Sequence, residues 1–354
     1  MKKSLILMAL LLLGLAVGGC AAPVNQGNAA VQGNPQPVLL EQTPNIIYVT
    51  ATAETPNVIY VTATPETQDT EGVEDNAYPS ISNVSLKGKI VYSKYLSREP
   101  VNVQIYMMDL ENGIEKQITY TGINSQPMWS PDGTKVLYTS ISEETSYDIF
   151  IMDENGENAH PLVSTTGMDI NAVWSPDGKR VAYNSNVDGN HEIYIIDLET
   201  KQIHQITNDE SGYHGAPSWS PDGKKVVYVY GDGVQYGTKL FVYDLESASS
   251  QEIDQDKFYL DDLPVWSADG QSIIFSRING DFQRIIRYDL NQMVENLLTA
   301  DAFPEGNKEY LLEKSARGNY LSFSENGKFY IMDMDQQFIY PLGIDASDLN
   351  YFPE

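Results

Sequence analysis

Six aspartates close six related segments of this chain, and carboxylates at regular spacing raise metal ligation as the first chemistry to test. The segments read IYMMD, IFIMD, IYIID, LFVYD, IIRYD and FYIMD and end at Asp109, Asp153, Asp197, Asp244, Asp289 and Asp333. Hard cations need several oxygens converging on one point. Aspartates set one per repeat are spread around a structure instead, and aspartate is a common opener of turns. The run Asp153-Glu154-Asn155-Gly156 is too short for a calcium loop and reads as a hairpin turn. The expectation is therefore no metal site and no cofactor.

The histidines, 4 in number, are the next candidates. His160 and His204 start equivalent segments of adjacent repeats, which marks a structural position. His191 begins HEIYI, which lacks the second histidine of a zinc-protease helix and leads into a strand. His214, in SGYHGAP, is the candidate acid, base or ligand, with Asp209 or Asp232 as carboxylates nearby in sequence. The sequence itself identifies no partner for it. No G-x-S-x-G elbow of an α/β-hydrolase occurs.

What must position these residues is a repeat. Gly88, Gly133, Gly178, Gly223, Gly270 and Gly318 follow one another at steps of 45, 45, 45, 47 and 48 residues. Three close the pentapeptide Trp-Ser-Pro-Asp-Gly, starting at Trp129, Trp174 and Trp219, and a fourth closes WSADG from Trp266. VSLKG at Val84–Gly88 and KSARG at Lys314–Gly318 read as degenerate copies. After each comes an apolar run such as KVLYT or RVAYN, then a polar loop, then the run ending in aspartate, then a weaker run such as HQITN. Val, Ile, Tyr and Phe bounded by Gly, Asn, Asp and Ser is the strand signature. With the strand that leads into the tryptophan, each repeat has four strands. Four-stranded units at this period build a β-propeller, here of six blades and all-β. In the pentapeptide, Pro and Asp suit the two central positions of a type I turn, and Gly accepts the left-handed conformation that follows. The tryptophan before the turn is expected to wedge between neighbouring blades.

WSPDG, then a strand, then the segment ending IYxMD, then a strand like QIT, resembles the TolB-type six-bladed propeller repeat over about residues 80–345. The same repeat occurs in propellers attached to prolyl-oligopeptidase-like proteases. The resemblance implies the fold and is unspecific for function. TolB carries an α/β domain before its propeller that engages the rest of its system. Here a low-complexity segment stands in that place, so the TolB role does not carry over.

Met1-Lys2-Lys3, the apolar run Leu5–Val17 and then Val17-Gly18-Gly19-Cys20 read as a secretory signal. Its end resembles a bacterial lipobox, with Cys20 the lipid-modified first residue. Cys20 is the sole cysteine, so no intrachain disulfide forms. The sequence thus divides into a signal at 1–19, a linker at 20–79 and the propeller at 80–354. The linker is rich in Pro, Thr, Asn and Gln, lacks Lys and Arg, and cannot bury a core. It contains the tandem 12-mers TPNIIYVTATAE from Thr43 and TPNVIYVTATPE from Thr55. About 60 flexible residues give a mean reach of roughly 40–45 Å. The expected location is extracytoplasmic, anchored by lipid to the outer membrane or cell surface. The net charge of −27 repels phosphate polymers and excludes nucleic-acid binding.

Propeller ligands usually meet the face carrying the loops between blades and the loops between each blade's second and third strands. On that face the sequence places Tyr95, Arg98, Tyr213, His214, Tyr230, Tyr236, Tyr259, Phe282 and Arg284 in loops. Aromatic and arginine side chains are the usual anchors of binding sites. The expectation is a monomeric, non-enzymatic module that binds a protein or peptide of the cell envelope. The alternatives are a surface receptor for glycans or other small ligands and, further off, a propeller lyase or hydrolase. Ring closure has two versions: Ser80–Leu86 forms the first blade's inner strand, or it pairs with the last blade after Tyr340.

Overall fold

The computed structural model describes residues 80–81, 86–141, 147–209, 212–232, 238–253, 260–279, 282–299, 309–315, 319–325, 327–336, 338–344 and 346–353. The expected signal, linker, Cys20 and Gly318 fall outside them.

The described residues form six antiparallel sheets of four strands each, arranged as the blades of a propeller, with one short extra strand. Blade 2 shows the plan: Ile123–Trp129 innermost, then Lys135–Ile141, Tyr147–Asp153 and His160–Val163 outermost. Blade 3 runs from Asp169–Trp174 through Arg180–Ser185 and Glu192–Asp197 to Ile203–Gln205. Blade 4 runs from Tyr213–Trp219 through Lys225–Gly231 and Lys239–Asp244 to Ser249–Glu252. Blade 5 spans Leu260–Trp266 to Val294–Leu297, and blade 6 spans Glu309–Lys314 to Phe338–Leu342. The second strands are buried on both faces, as in Val136-Leu137-Tyr138-Thr139-Ser140, so they read as continuous apolar runs. The outermost strands are largely exposed.

The turns follow from the motif. Gly133, Gly178, Gly223 and Gly270 have φ of 67–72°, and each donates its N–H to the motif serine's carbonyl at 2.9–3.0 Å. The serine hydroxyl donates to the motif aspartate, as Ser130 does to Asp132 at 2.6 Å. The strand-end aspartates open turns: Asp197 accepts the N–H groups of Glu199 and Thr200 at 3.1 and 2.7 Å. Each tryptophan lies at a blade junction. The indole N–H of Trp174 donates to the Met128 carbonyl of the preceding blade at 3.4 Å, and Trp219 does the same to Val173 at 3.3 Å.

The first blade departs from the sequence expectation. Its innermost strand is the C-terminal segment Leu349–Phe352, which pairs with Lys89–Tyr92. The ring is therefore closed by the end of the chain. Ser80–Ile81 lies instead on the outer edge of blade 6, parallel to Phe338–Ile339. The pairing with the last blade expected in the second sequence version is thus present at Ser80–Ile81, but on that blade's outer edge, and the innermost strand of blade 1 is not the one the first version expected. Nor is Gly88 a hairpin glycine, because the residues before it are not the strand that pairs beside it. It lies against the closing strand, and a Cβ there would meet the Phe352 carbonyl at 2.5 Å.

Candidate functional site

Every innermost strand of blades 2–6 carries a register shift just before its motif. A bulge of this kind leaves a residue unpaired and re-aims it. At four of these shifts a non-glycine residue takes up the left-handed conformation: Gln126, Asn171, Ala216 and Leu263, at φ 54, 55, 48 and 50°. All four stand three residues before the motif tryptophan. Left-handed backbone at such residues costs energy and often marks functional positions. By its pairing register, Asp348 takes the corresponding place in blade 1.

These side chains join the blades. The Asp348 carboxylate accepts the Ser93 N–H at 3.2 Å and the Gln126 N–H at 3.0 Å. The Gln126 carbonyl oxygen accepts the Thr139 hydroxyl at 2.9 Å and the Asn171 N–H at 3.3 Å, while its amide donates to the Asn171 side chain. Asn171 donates to Asn184 at 3.4 Å, and Asn184 donates to the His214 carbonyl at 2.5 Å. A polar arc thus runs around the inner wall from blade 1 to blade 4. The equivalent positions in blades 4 and 5 are Ala216 and Leu263, whose side chains carry no hydrogen-bonding group to extend it. Burial raises the Asp348 carboxyl above its usual range, opposed by the hydrogen bonds from Ser93 and Gln126.

The arc ends on His214, which has a partner that sequence reasoning missed. Glu192 is buried at 2% exposure and His214 at 7%. The His214 Nδ1 lies 2.9 Å from a Glu192 carboxylate oxygen. This contact joins two buried titratable groups across the junction of blades 3 and 4. The second Glu192 oxygen accepts the Asp209 N–H at 2.9 Å. Tyr230 bonds to Asp209, and its ring centroid lies 5.0 Å from that of His214. Burial lowers the His214 pKa, opposed by the charges of Glu192 and Asp209.

The predicted site residues therefore separate. Tyr213, His214 and Tyr230 come together in blade 4, as strand residues and not in loops. Tyr213 and Tyr230 are half-buried there, and the Tyr213 ring fills the space over Gly231. Tyr95 and Arg98 are also strand residues, because the second and third strands of blade 1 extend almost to each other. Tyr95 lies within electrostatic reach of Asp348, Arg98 and Tyr147. Arg284 stands in a strand of blade 5, cross-strand from Arg277. Phe282 opens that strand. Tyr236 and Tyr259 lie outside the described residues, as does the side chain of Phe282. Two signals could have found the rest: the position three before each tryptophan, and the first residue of each third strand, where Glu192 stands. Among the described residues no group of three or more His, Cys, Asp or Glu could hold a metal ion.

A family model described as the TolB beta propeller domain matches residues 141–340. The chain belongs to this family of six-bladed propellers. Among solved structures, TolB from Acinetobacter baumannii is 23% identical, with a TM-score of 0.60, over 75% of this chain and 67% of that one. The tricorn protease is 15% identical, with a TM-score of 0.50, over 75% of this chain and 30% of that one. At such identities the likeness is one of fold. No curated protein matches the chain.

Proposed function

We propose that this chain is a non-enzymatic, lipid-anchored extracytoplasmic propeller that docks a protein or peptide at the loop-side mouth of its axis. The polar arc from Asp348 through Gln126 and Asn171 to His214 carries this reading. It fixes the partly exposed amides of Gln126 and Asn171 on the innermost strands. Such a wall offers hydrogen bonds to a peptide backbone. Membership of the TolB propeller family supports a protein-binding role. The signal-like N-terminus and Cys20 support the anchor, and acylation stabilises membrane binding by about 0.8 kcal/mol per buried methylene.

The test is affinity capture from native membranes with the full-length protein as bait. Envelope proteins enriched by the wild type and lost with Gln126→Ala or Tyr230→Ala support docking. Equal capture by wild type and variants overturns it. The Glu192–His214 pair favours one other reading, acid–base catalysis at the same mouth. Substrate turnover by the purified protein that His214→Gln abolishes would establish that reading in place of docking.

A further inference from the structure

On the face of the Ser-Pro-Asp-Gly turns, each tryptophan stands at the floor of a junction between blades, and the junctions are filled differently. Between blades 1 and 2 the Phe352 ring lies 5.9 Å from that of Trp129. A Cβ on Gly133 would meet that phenyl ring at 2.5 Å. Between blades 3 and 4 the filler is Arg180. Its guanidinium carbon lies 4.5 Å from the Trp219 ring centroid. Its Nη2 donates to the Gly223 carbonyl at 3.0 Å and stands 3.8 Å from the Asp177 carboxylate.

The same three acceptors recur 45 residues earlier, between blades 2 and 3: the Trp174 indole, the Gly178 carbonyl and the Asp132 carboxylate. The cation does not recur. Lys135 occupies the register of Arg180, and its ammonium is drawn to Asp153 at 2.8 Å. Where a Cβ on Gly223 would meet Arg180 Nη2 at 3.2 Å, one on Gly178 would meet only Pro131, at 3.9 Å. A cleft of about 540 Å³ stands open over Trp174, with Ile151, Leu162, Leu198, Pro131 and Pro176 among its walls. Lys201 and His160 also line it, the latter with its Nδ1 2.8 Å from the Asn158 carbonyl. The lysine substitution recurs between blades 4 and 5, where Lys225 leans to Asp244 at 3.6 Å.

We propose that the Trp174 cleft binds an arginine side chain presented by an extended segment of a partner protein. The occupant is defined by the chain's own copy of the site, in which a guanidinium lies on the indole and bonds the glycine carbonyl. A planar guanidinium stacks on an aromatic face and donates in a fixed fork, which an ammonium does not reproduce. The net charge of −27 favours the approach of a basic segment. This site lies on the face opposite the proposed mouth, so the two readings stand or fall separately.

The chain has 4 tryptophans, one per motif, so each indole N–H resonance reports one junction. The probe is the blocked tripeptide acetyl-Gly-Arg-Gly-amide, titrated into the full chain and followed by NMR. It should shift the Trp174 indole signal and leave those of Trp129 and Trp219, whose junctions are filled, in place. The citrulline analogue, planar but neutral, should bind about fivefold or more weakly, since the cation–π term is of order 1 kcal/mol. Lys135→Arg should fill the cleft from within and abolish the response, while Lys135→Met should keep it. An unmoved Trp174 signal, equal binding of the citrulline peptide, or a full response in Lys135→Arg would each overturn the proposal.

Discussion

Closure of the ring by the C-terminal strand predicts where this propeller is most vulnerable. Tyr351 pairs with Ile90 as Trp129 pairs with Val136, so it fills in blade 1 the place of a motif tryptophan. It is 1% exposed, its ring stands edge-on to Tyr320 at 5.1 Å, and its hydroxyl donates to the Lys87 carbonyl. Replacing a large buried aromatic by alanine costs about 3–5 kcal/mol, part of it the aromatic pair. At roughly 2–4 °C per kcal/mol for a domain near this size, Tyr351→Ala should lower Tm by roughly 6–20 °C. Among the described residues, removing residues 1–81 takes away the pairing of Ser80 and Ile81 with Phe338 and Ile339. Hydrogen bonds of that kind contribute about 0.5–1.5 kcal/mol each, so the shift should be about 1–6 °C per bond lost and smaller than that of Tyr351→Ala. Thermal unfolding followed by circular dichroism, with size-exclusion chromatography to detect opened rings, measures both. A larger loss from the N-terminal deletion than from Tyr351→Ala would refute closure by Leu349–Phe352.

Burial holds the folded His214 below the ordinary imidazole pKa, against the pull of Glu192 and Asp209. Its contribution to stability is then full above about pH 6.5, the unfolded value, and is lost as pH falls through and below it. The Tm difference between neutral and mildly acidic buffer should shrink in His214→Gln, and an unchanged pH profile would count against the buried neutral imidazole. The Ser130 hydroxyl and the Thr134 N–H, opposed by burial, hold Asp132 below its usual range. The turn's stability is present above about pH 4 and lost below it, so Ser130→Ala should flatten the acid limb of the Tm profile. Asp348 runs the other way: burial raises its pKa, so its contribution is present below about pH 4 and lost as pH rises through the raised folded value. Asp348→Asn should therefore flatten the decline of Tm between about pH 4 and that value. Cys20→Ala should release the protein from the membrane fraction, and retention after a high-salt wash would contradict lipid anchoring.

Sequence alone determined the blade count, the strand order within a blade and the turn chemistry. Those features are local and repeated: Pro, Asp and Gly act within one turn, and period-two burial acts within one strand. It also resolved the strand-end aspartates, whose acceptors serve N–H groups two and three residues on. What only the tertiary structure decided are contacts that cross blades. The closing strand joins residues some 260 positions apart, and VSLKG resembled the motif closely enough to suggest an inner strand in the place that Leu349–Phe352 takes. Glu192 and His214 lie 22 residues apart on strands of different blades, so no spacing rule brings them together. Gln126 and Asn171 occur at a repeat position in the sequence. Their meaning appears only when a bulge turns each into the left-handed conformation and the ring sets each beside its neighbour. A repeat encodes its own unit in every copy. How the copies differ at the axis and at the junctions becomes visible only once they are arranged in a circle.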